Sequence, residues 1–288
     1  MKTTAAYLPF VIVTVVERKP RKRTYLMCPP EYFAVGYAIN PWMAPGTPVD
    51  VELAVKQWTV LRDTLLDLGH TVHVLPPGPE LPDMVYAANG AFSVHGVVYG
   101  ARFRYPQRSA EADHHRAFYL EQGWRYIAPT VINEGEGDFA YLPGRLGGLV
   151  LAGHGFRTDP AAHAEAQSVL GRPVLSLHLS DPRFYHLDVA LAALDDHTVA
   201  YYPGAFTAPT QQILRSAFPD AVVADEDDAL AFGLNLISDG RHAVLNSEAT
   251  GLAAKLRAAG YEPVPIELGE LKKGGGSVRC CIAELRAA

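Results

Sequence analysis

Near the C-terminus, residues 274–281 read Gly-Gly-Gly-Ser-Val-Arg-Cys-Cys. Consecutive glycines let the backbone turn sharply and come close to a ligand, and a thiol follows the turn. A thiolate is a strong nucleophile when a nearby cation lowers its pKa and a base stands within reach. Cys280 and Cys281 on a strand point to opposite faces, so at most one serves a given pocket. Other polar segments supply the missing groups: residues 82–89 (Pro-Asp-Met-Val-Tyr-Ala-Ala-Asn), 133–138 (Asn-Glu-Gly-Glu-Gly-Asp) and 184–188 (Phe-Tyr-His-Leu-Asp). His186 can protonate a leaving group and then activate water. Glu134, Asp188 and Asn89 suit a planar, multi-donor cation, because guanidinium presents five donors in a fixed fork. Such a cation would itself favour the thiolate. The chemistry these groups describe is attack at the central carbon of a guanidinium.

The elements that must position these groups recur along the chain. Helix-like segments cover 51–68, 110–122, 160–170, 209–218 and 247–259, most of them closing on a glycine. In the first, Ala54, Trp58, Leu61, Leu65 and Leu68 repeat at three-to-four spacing and mark one buried face. A strand-like run follows each helix, at 71–75, 126–131, 174–179, 221–224 and 263–268. Further strands are expected at 92–94 with 97–101, 139–142 with 148–152, 187–194 with 198–202, 230–237 with 242–245, and 278–285, with 25–28 completing the last unit. A repeat of this size signals a modular architecture. The expected fold is α/β, a five-bladed α/β propeller of pseudo-symmetric ββαβ units, preferred over an open α/β sheet because the count is regular. In such a ring the polar loops converge on one pocket.

The 288 residues carry a net charge of −6, which argues against nucleic acid as a partner. Three cysteines, two adjacent, do not make a disulfide framework and suit a reducing cytoplasm. The apolar run at 5–16 is shorter than the ~20 residues that span a bilayer. Its basic cluster, residues 18–23, follows the run, whereas a secretory signal carries its charges before it. Residues 1–22 are read as a leader or extra strand, and 23–288 as a single domain. No metal-ligand spacing and no phosphate-binding loop occur, so neither a metal nor an organic cofactor is expected. A homo-oligomer is left open.

The segments Glu-Gly-Glu-Gly-Asp-Phe (134–139), Ala-Gly-His-Gly-Phe-Arg-Thr-Asp (152–159), Phe-Tyr-His-Leu-Asp (184–188) and Gly-Gly-Gly-Ser-Val-Arg-Cys-Cys (274–281) resemble those of the guanidine-modifying enzyme, or pentein, superfamily. Its members include dimethylargininases, arginine and agmatine deiminases, arginine dihydrolases and glycine amidinotransferases. The resemblance covers roughly residues 24–286 and implies a five-bladed propeller with a Cys-His-Glu/Asp site. It implies Cys280 as nucleophile, His186 as general acid and base, and Glu134 as the guanidinium-site carboxylate, with Glu136 competing because the segment is one residue longer. Asp188 matches a second guanidinium ligand, Arg157 the anchor for a substrate carboxylate, and Arg104 a second anchoring arginine. Asn89 stands where many deiminases carry an acid, as it does in arginine dihydrolases. Asp83 is read as a contact to a substrate ammonium and Asn40 as a further pocket residue. The implied activity is a cysteine hydrolase acting on an arginine-type guanidine through a covalent thiouronium, with dimethylarginine, giving citrulline and dimethylamine, preferred. The alternatives are an arginine deiminase or dihydrolase, an amidinotransferase using an amine acceptor, and a non-catalytic arginine-binding protein.

Overall fold

The computed structural model describes residues 18–287, so the leader expected over residues 1–22 lies outside the described residues except for 18–22. Those last residues form no strand; Arg18 donates to Asp195 at 2.8 Å and to the Ala259 carbonyl, and stacks on Tyr261.

The helical periodicity holds where it is read. In Val51–Asp67 the repeating Ala54, Trp58, Leu61 and Leu65 are buried, and Asp50 caps the start by accepting the Leu53 N–H at 2.9 Å. Ala161–Leu170 ends at Gly171, whose φ of 61° is the left-handed stop a glycine supplies without cost. The other long helices are Glu111–Glu121, Ala208–Ala217 and Thr250–Ala258. Each of the five crosses from a second strand to a third, which therefore pair in parallel, while the first and second strands pair antiparallel.

Among the described residues this unit occurs five times, as five separate three-stranded sheets. In chain order the first strands are Ala91–Val94, Phe139–Leu142, Leu191–Ala193, Ile237–Ser238 and Ala283–Glu284. The fifth sheet closes the ring: Thr24–Met27 pairs antiparallel with Ala283–Glu284 and parallel with Thr71–Val74, Tyr25 lying opposite both Glu284 and Val72. First strands touch their neighbours in adjacent sheets: Phe139–Leu142 meets Leu191–Ala193, which meets Ile237–Ser238, and Ala283–Glu284 meets Ala91–Val94. This is the five-bladed α/β propeller. No helix among the described residues is long and apolar enough to cross a membrane.

Three strand expectations are corrected at the centre of the ring. Of 187–194, only Leu191–Ala193 is strand, after a 3-10 turn at Leu187–Val189. Of 230–237, the start is the end of a short helix, Glu226–Leu230, and only the end joins the strand Ile237–Ser238. Of 278–285, only Ala283–Glu284 is strand, so Cys280 and Cys281 sit on a turn. The cause is the same in each case. N–H groups ahead of the first strand go to side chains and turns: Leu187 to Asp138, Asn235 to the Phe232 carbonyl, Ser277 and Cys280 to Asn235. The apolar character of these stretches reflects burial at the axis, which a short run cannot distinguish from a strand.

Candidate active site

Five-fold repetition places one polar segment immediately before each first strand: Asn89, Glu134, His186 with Asp188, Asn235 and Cys280 in turn. The nucleophile candidate is 1% exposed, His186 1%, Glu134 0% and Asp188 4%. The glycine turn fits closely around its neighbours. Gly275 has φ of 88°, and a Cβ there would lie 2.6 Å from the Asn40 Oδ1; a Cβ on Gly276 would run into the Tyr86 ring and come within 3.0 Å of the Cys280 Cβ. Tyr185 donates its hydroxyl to the Gly275 carbonyl at 2.7 Å, and Asn40 donates to the Gly274 carbonyl at 3.1 Å. Asn40 thus supports the turn, its Oδ1 also accepting the Trp42 N–H at 2.9 Å.

Two linked groups emerge. In the first, the Cys280 Sγ lies 3.3 Å from the Asp188 Oδ2, where the thiol donates to the carboxylate. The Asn235 Nδ2 donates to the same sulfur at 3.1 Å. Burial, with the Asp188 charge beside it, pushes the Cys280 thiol well above its ordinary range. Burial likewise pushes Asp188 up to about 7 against the opposing pull of Arg279. An approaching cation would reverse both effects.

In the second group, the Glu134 Oε2 accepts from His186 Nε2 at 2.8 Å and from Arg157 Nη1 at 2.7 Å, while Oε1 accepts the Arg104 N–H at 3.1 Å. Burial alone would raise the Glu134 carboxyl, but the Arg157 charge and the His186 hydrogen bond outweigh it and hold it well below the usual range. With Nε2 engaged by Glu134, the other ring nitrogen, Nδ1, has no protein partner.

Arg157, expected as the anchor for a substrate carboxylate, lies beside Glu134 at the same site. Its fork goes to Glu134 and to the Ile39 carbonyl at 2.9 Å, and the guanidinium is sandwiched 4.8 Å from the Tyr105 and Tyr185 rings. Arg104, exposed, donates its Nε to the Arg157 carbonyl at 2.8 Å and so stands beside the same group. Glu136 is held elsewhere than its rival Glu134. Its oxygens pair with Arg279 and Arg286 and accept the Glu284 N–H, an arrangement that ties the last strand to the second sheet.

Asp83 is buried, accepts the Tyr37 hydroxyl at 2.9 Å through Oδ2, and leaves Oδ1 without a partner. Asn89 accepts from Arg108 Nη1 at 2.7 Å and points its Nδ2 at the Glu134 carbonyl, 3.4 Å away. No group of three or more His, Cys, Asp or Glu side chains placed to hold a metal occurs among the described residues.

Three participants were not read from the sequence. Asn235 lies in 230–237, whose apolar residues look like a strand, although five-fold equivalence points to the fourth unit. Asp138 lies inside the quoted 133–138 segment; it accepts the N–H groups of Leu187 at 3.0 Å and Thr158 at 3.2 Å, fixing the residues next to His186 and Arg157. Burial raises its carboxyl to about 6. Arg108, buried and paired to Glu111 at 2.8 Å, orients Asn89 and carries no sequence signal that separates it from a surface arginine.

No protein-family model matches the chain. It is 54% identical over 268 residues to the N(G),N(G)-dimethylarginine dimethylaminohydrolase of Mycobacterium tuberculosis, spanning 93% of this chain and 87% of that one. It is 33% identical to the bifunctional arginine dihydrolase/ornithine cyclodeaminase ArgZ of Synechocystis over 88% of this chain, which corresponds to 36% of that longer protein. The solved N-terminal domain of ArgZ bound to substrate superposes with a TM-score of 0.88 at 31% identity, covering 92% of this chain and 99% of that one. A dimethylarginine dimethylaminohydrolase adduct with S-methyl-L-thiocitrulline superposes at 0.76 over 92% of this chain and all of that one; at 15% identity it supports the fold alone. The chain belongs to the guanidine-modifying pentein superfamily and, within it, to the family of the dimethylarginine dimethylaminohydrolases.

Proposed function

We propose that this protein hydrolyses dimethylarginine to citrulline and dimethylamine, with Cys280 as nucleophile and His186 as general acid and base. The observation that carries the reading is a buried thiol bonded to a carboxylate whose other oxygen, Asp188 Oδ1, has no partner. A buried carboxylate lacking a partner is costly, and a guanidinium would satisfy it while lowering the thiol pKa. The His186 Nδ1 takes the thiol proton as the sulfur–carbon bond forms. The same proton then goes to the dimethylamine nitrogen as the carbon–nitrogen bond breaks, leaving a planar thiouronium. Water adds to that carbon, giving a proton to His186, and the carbon–sulfur bond breaks to return Cys280 and release citrulline.

Glu134 keeps His186 in the required tautomer, and Arg157 keeps Glu134 ionised. The substrate carboxylate then falls to Arg104, the exposed arginine beside this group, and the substrate ammonium to Asp83. The substrate is a free small molecule, and the three reduced cysteines suit work in the cytoplasm.

A second reading, hydrolysis of arginine through both carbon–nitrogen bonds to ornithine, is favoured by one observation. Asn89, locked by Arg108, replaces the acid that many deiminases carry. Mass spectrometry of products from separate dimethylarginine and arginine incubations, with Cys280→Ser alongside, tests both. Citrulline from dimethylarginine alone, lost in the variant, supports the main reading. Ornithine and ammonia from arginine would replace it with the second.

A further inference from the structure

We infer that Asn235 is a further catalytic residue, whose side-chain amide stabilises the Cys280 thiolate and couples it to the guanidinium-binding carboxylate. The inference rests on the cysteine-hydrolase reading above and assigns that site a group from the fourth unit of the ring. Every polar atom of this amide is used. Oδ1 accepts the N–H of Ser277 and the N–H of Cys280, both at 3.1 Å, so it sets the turn that presents the thiol. Nδ2 donates to the Cys280 Sγ and to the Asp188 backbone carbonyl, both at 3.1 Å. The residue is fully buried.

The orientation of the amide follows from these partners. Two backbone N–H groups must face an acceptor, so the oxygen points to the turn and the NH2 must point to the sulfur. That NH2 is a fixed dipole aimed at the atom that becomes negative when its proton moves to His186. A buried site makes such a donor worth more than it is in water. Asp188, hydrogen-bonded to the same sulfur, opposes the thiolate until a cation arrives, so Asn235 is the neutral donor acting throughout the cycle. Nδ2 also holds the Asp188 backbone carbonyl, which ties the residue that carries the carboxylate to the nucleophile.

The test is the pH dependence of Cys280 alkylation by iodoacetamide in the ligand-free full chain, with Cys280→Ser as baseline for the other thiols. It is run beside steady-state turnover of dimethylarginine. Asn235→Asp keeps the acceptor for both N–H groups and replaces the donor; Asn235→Ala removes both. The expected result is an alkylation midpoint raised by ~1 unit or more and kcat lowered ~10²-fold, with KM little changed. Thermal unfolding identifies a variant that fails to fold, and Asn235→Ser then takes the place of Asn235→Ala. A rise in the folded Ala or Ser variant supports the role; Asn235→Asp is read only against these, because its carboxylate raises the thiol by charge alone. An unchanged midpoint with reduced turnover assigns Asn235 to shaping the turn alone and overturns the inference while leaving the hydrolase reading intact. A native chain that neither alkylates at Cys280 nor turns over substrate removes the hydrolase reading and this inference with it.

Discussion

Replacing Arg157 by methionine separates two roles that the same residue could hold. In the structure its guanidinium lies 2.7 Å from the Glu134 Oε2, and both side chains are almost fully buried. With an effective dielectric of about 20, Coulomb attraction at that separation is ~6 kcal/mol. Removing one partner of such a pair typically costs ~3–5 kcal/mol, because the other charge is left buried. The lower range applies here, since His186 can supply part of the missing positive charge. At ~2–4 °C per kcal/mol for a large domain, Arg157→Met should unfold ~10 °C below the native chain. The pH dependence has a definite sign. Glu134 is depressed below its ordinary 4.5, so the stability it contributes is present above that value and is lost as pH falls below it. The two melting curves should therefore converge in acid. In turnover, kcat should fall, because an uncompensated Glu134 competes with Nδ1 for the imidazole's proton, and KM should change little. Arg157→Lys keeps the charge but cannot bridge Glu134 and Ile39 in one plane, and should fall between. An unaltered melting curve with KM raised and kcat preserved would refute this reasoning and return Arg157 to the substrate carboxylate.

Burial raises Asp188 from 3.8 to about 7. Its contribution to stability is full below the unfolded value and is lost as pH rises through about 7. The native melting midpoint should fall across that window more than that of Asp188→Asn, and kcat/KM should show an acid limb near the same pH; a flat kcat/KM profile there would contradict the assignment. Gly276→Ala places a methyl against Tyr86 and 3.0 Å from the Cys280 Cβ; it should cost ~1–3 kcal/mol and more than ~10²-fold in kcat, and near-native turnover would show that the turn is looser than it looks. Asp138→Asn sets an NH2 against one of two N–H donors, Leu187 or Thr158. It should lose ~1–3 kcal/mol in urea denaturation and slow turnover without raising KM; unchanged urea stability would mean that the two N–H groups find other acceptors.

What could be read from the chain is what depends on neighbours in sequence. The helix faces, the glycine stops and the count of units are local signals, and five crossovers of one kind leave little choice but a ring. The order of the polar segments also survived, since equivalent loops of equivalent units must converge. The partnerships at the centre could not be read, because they are set between units. Glu134 and Glu136 are two residues apart with the same side chain, yet one meets His186 and Arg157 while the other meets Arg279 and Arg286. Only the positions of the third and fifth units decide between them. Arg157 illustrates the same limit: its segment identifies an arginine that belongs to the site, but not whether its charge faces the ligand or a neighbour that faces the ligand. Asn235 shows the converse. Five-fold equivalence, carried one unit further, points to it, but the apolar run around it conceals a turn whose N–H groups need an acceptor. In a pseudo-symmetric ring, the unit that looks least chemical is therefore the one whose equivalent position merits the first substitution.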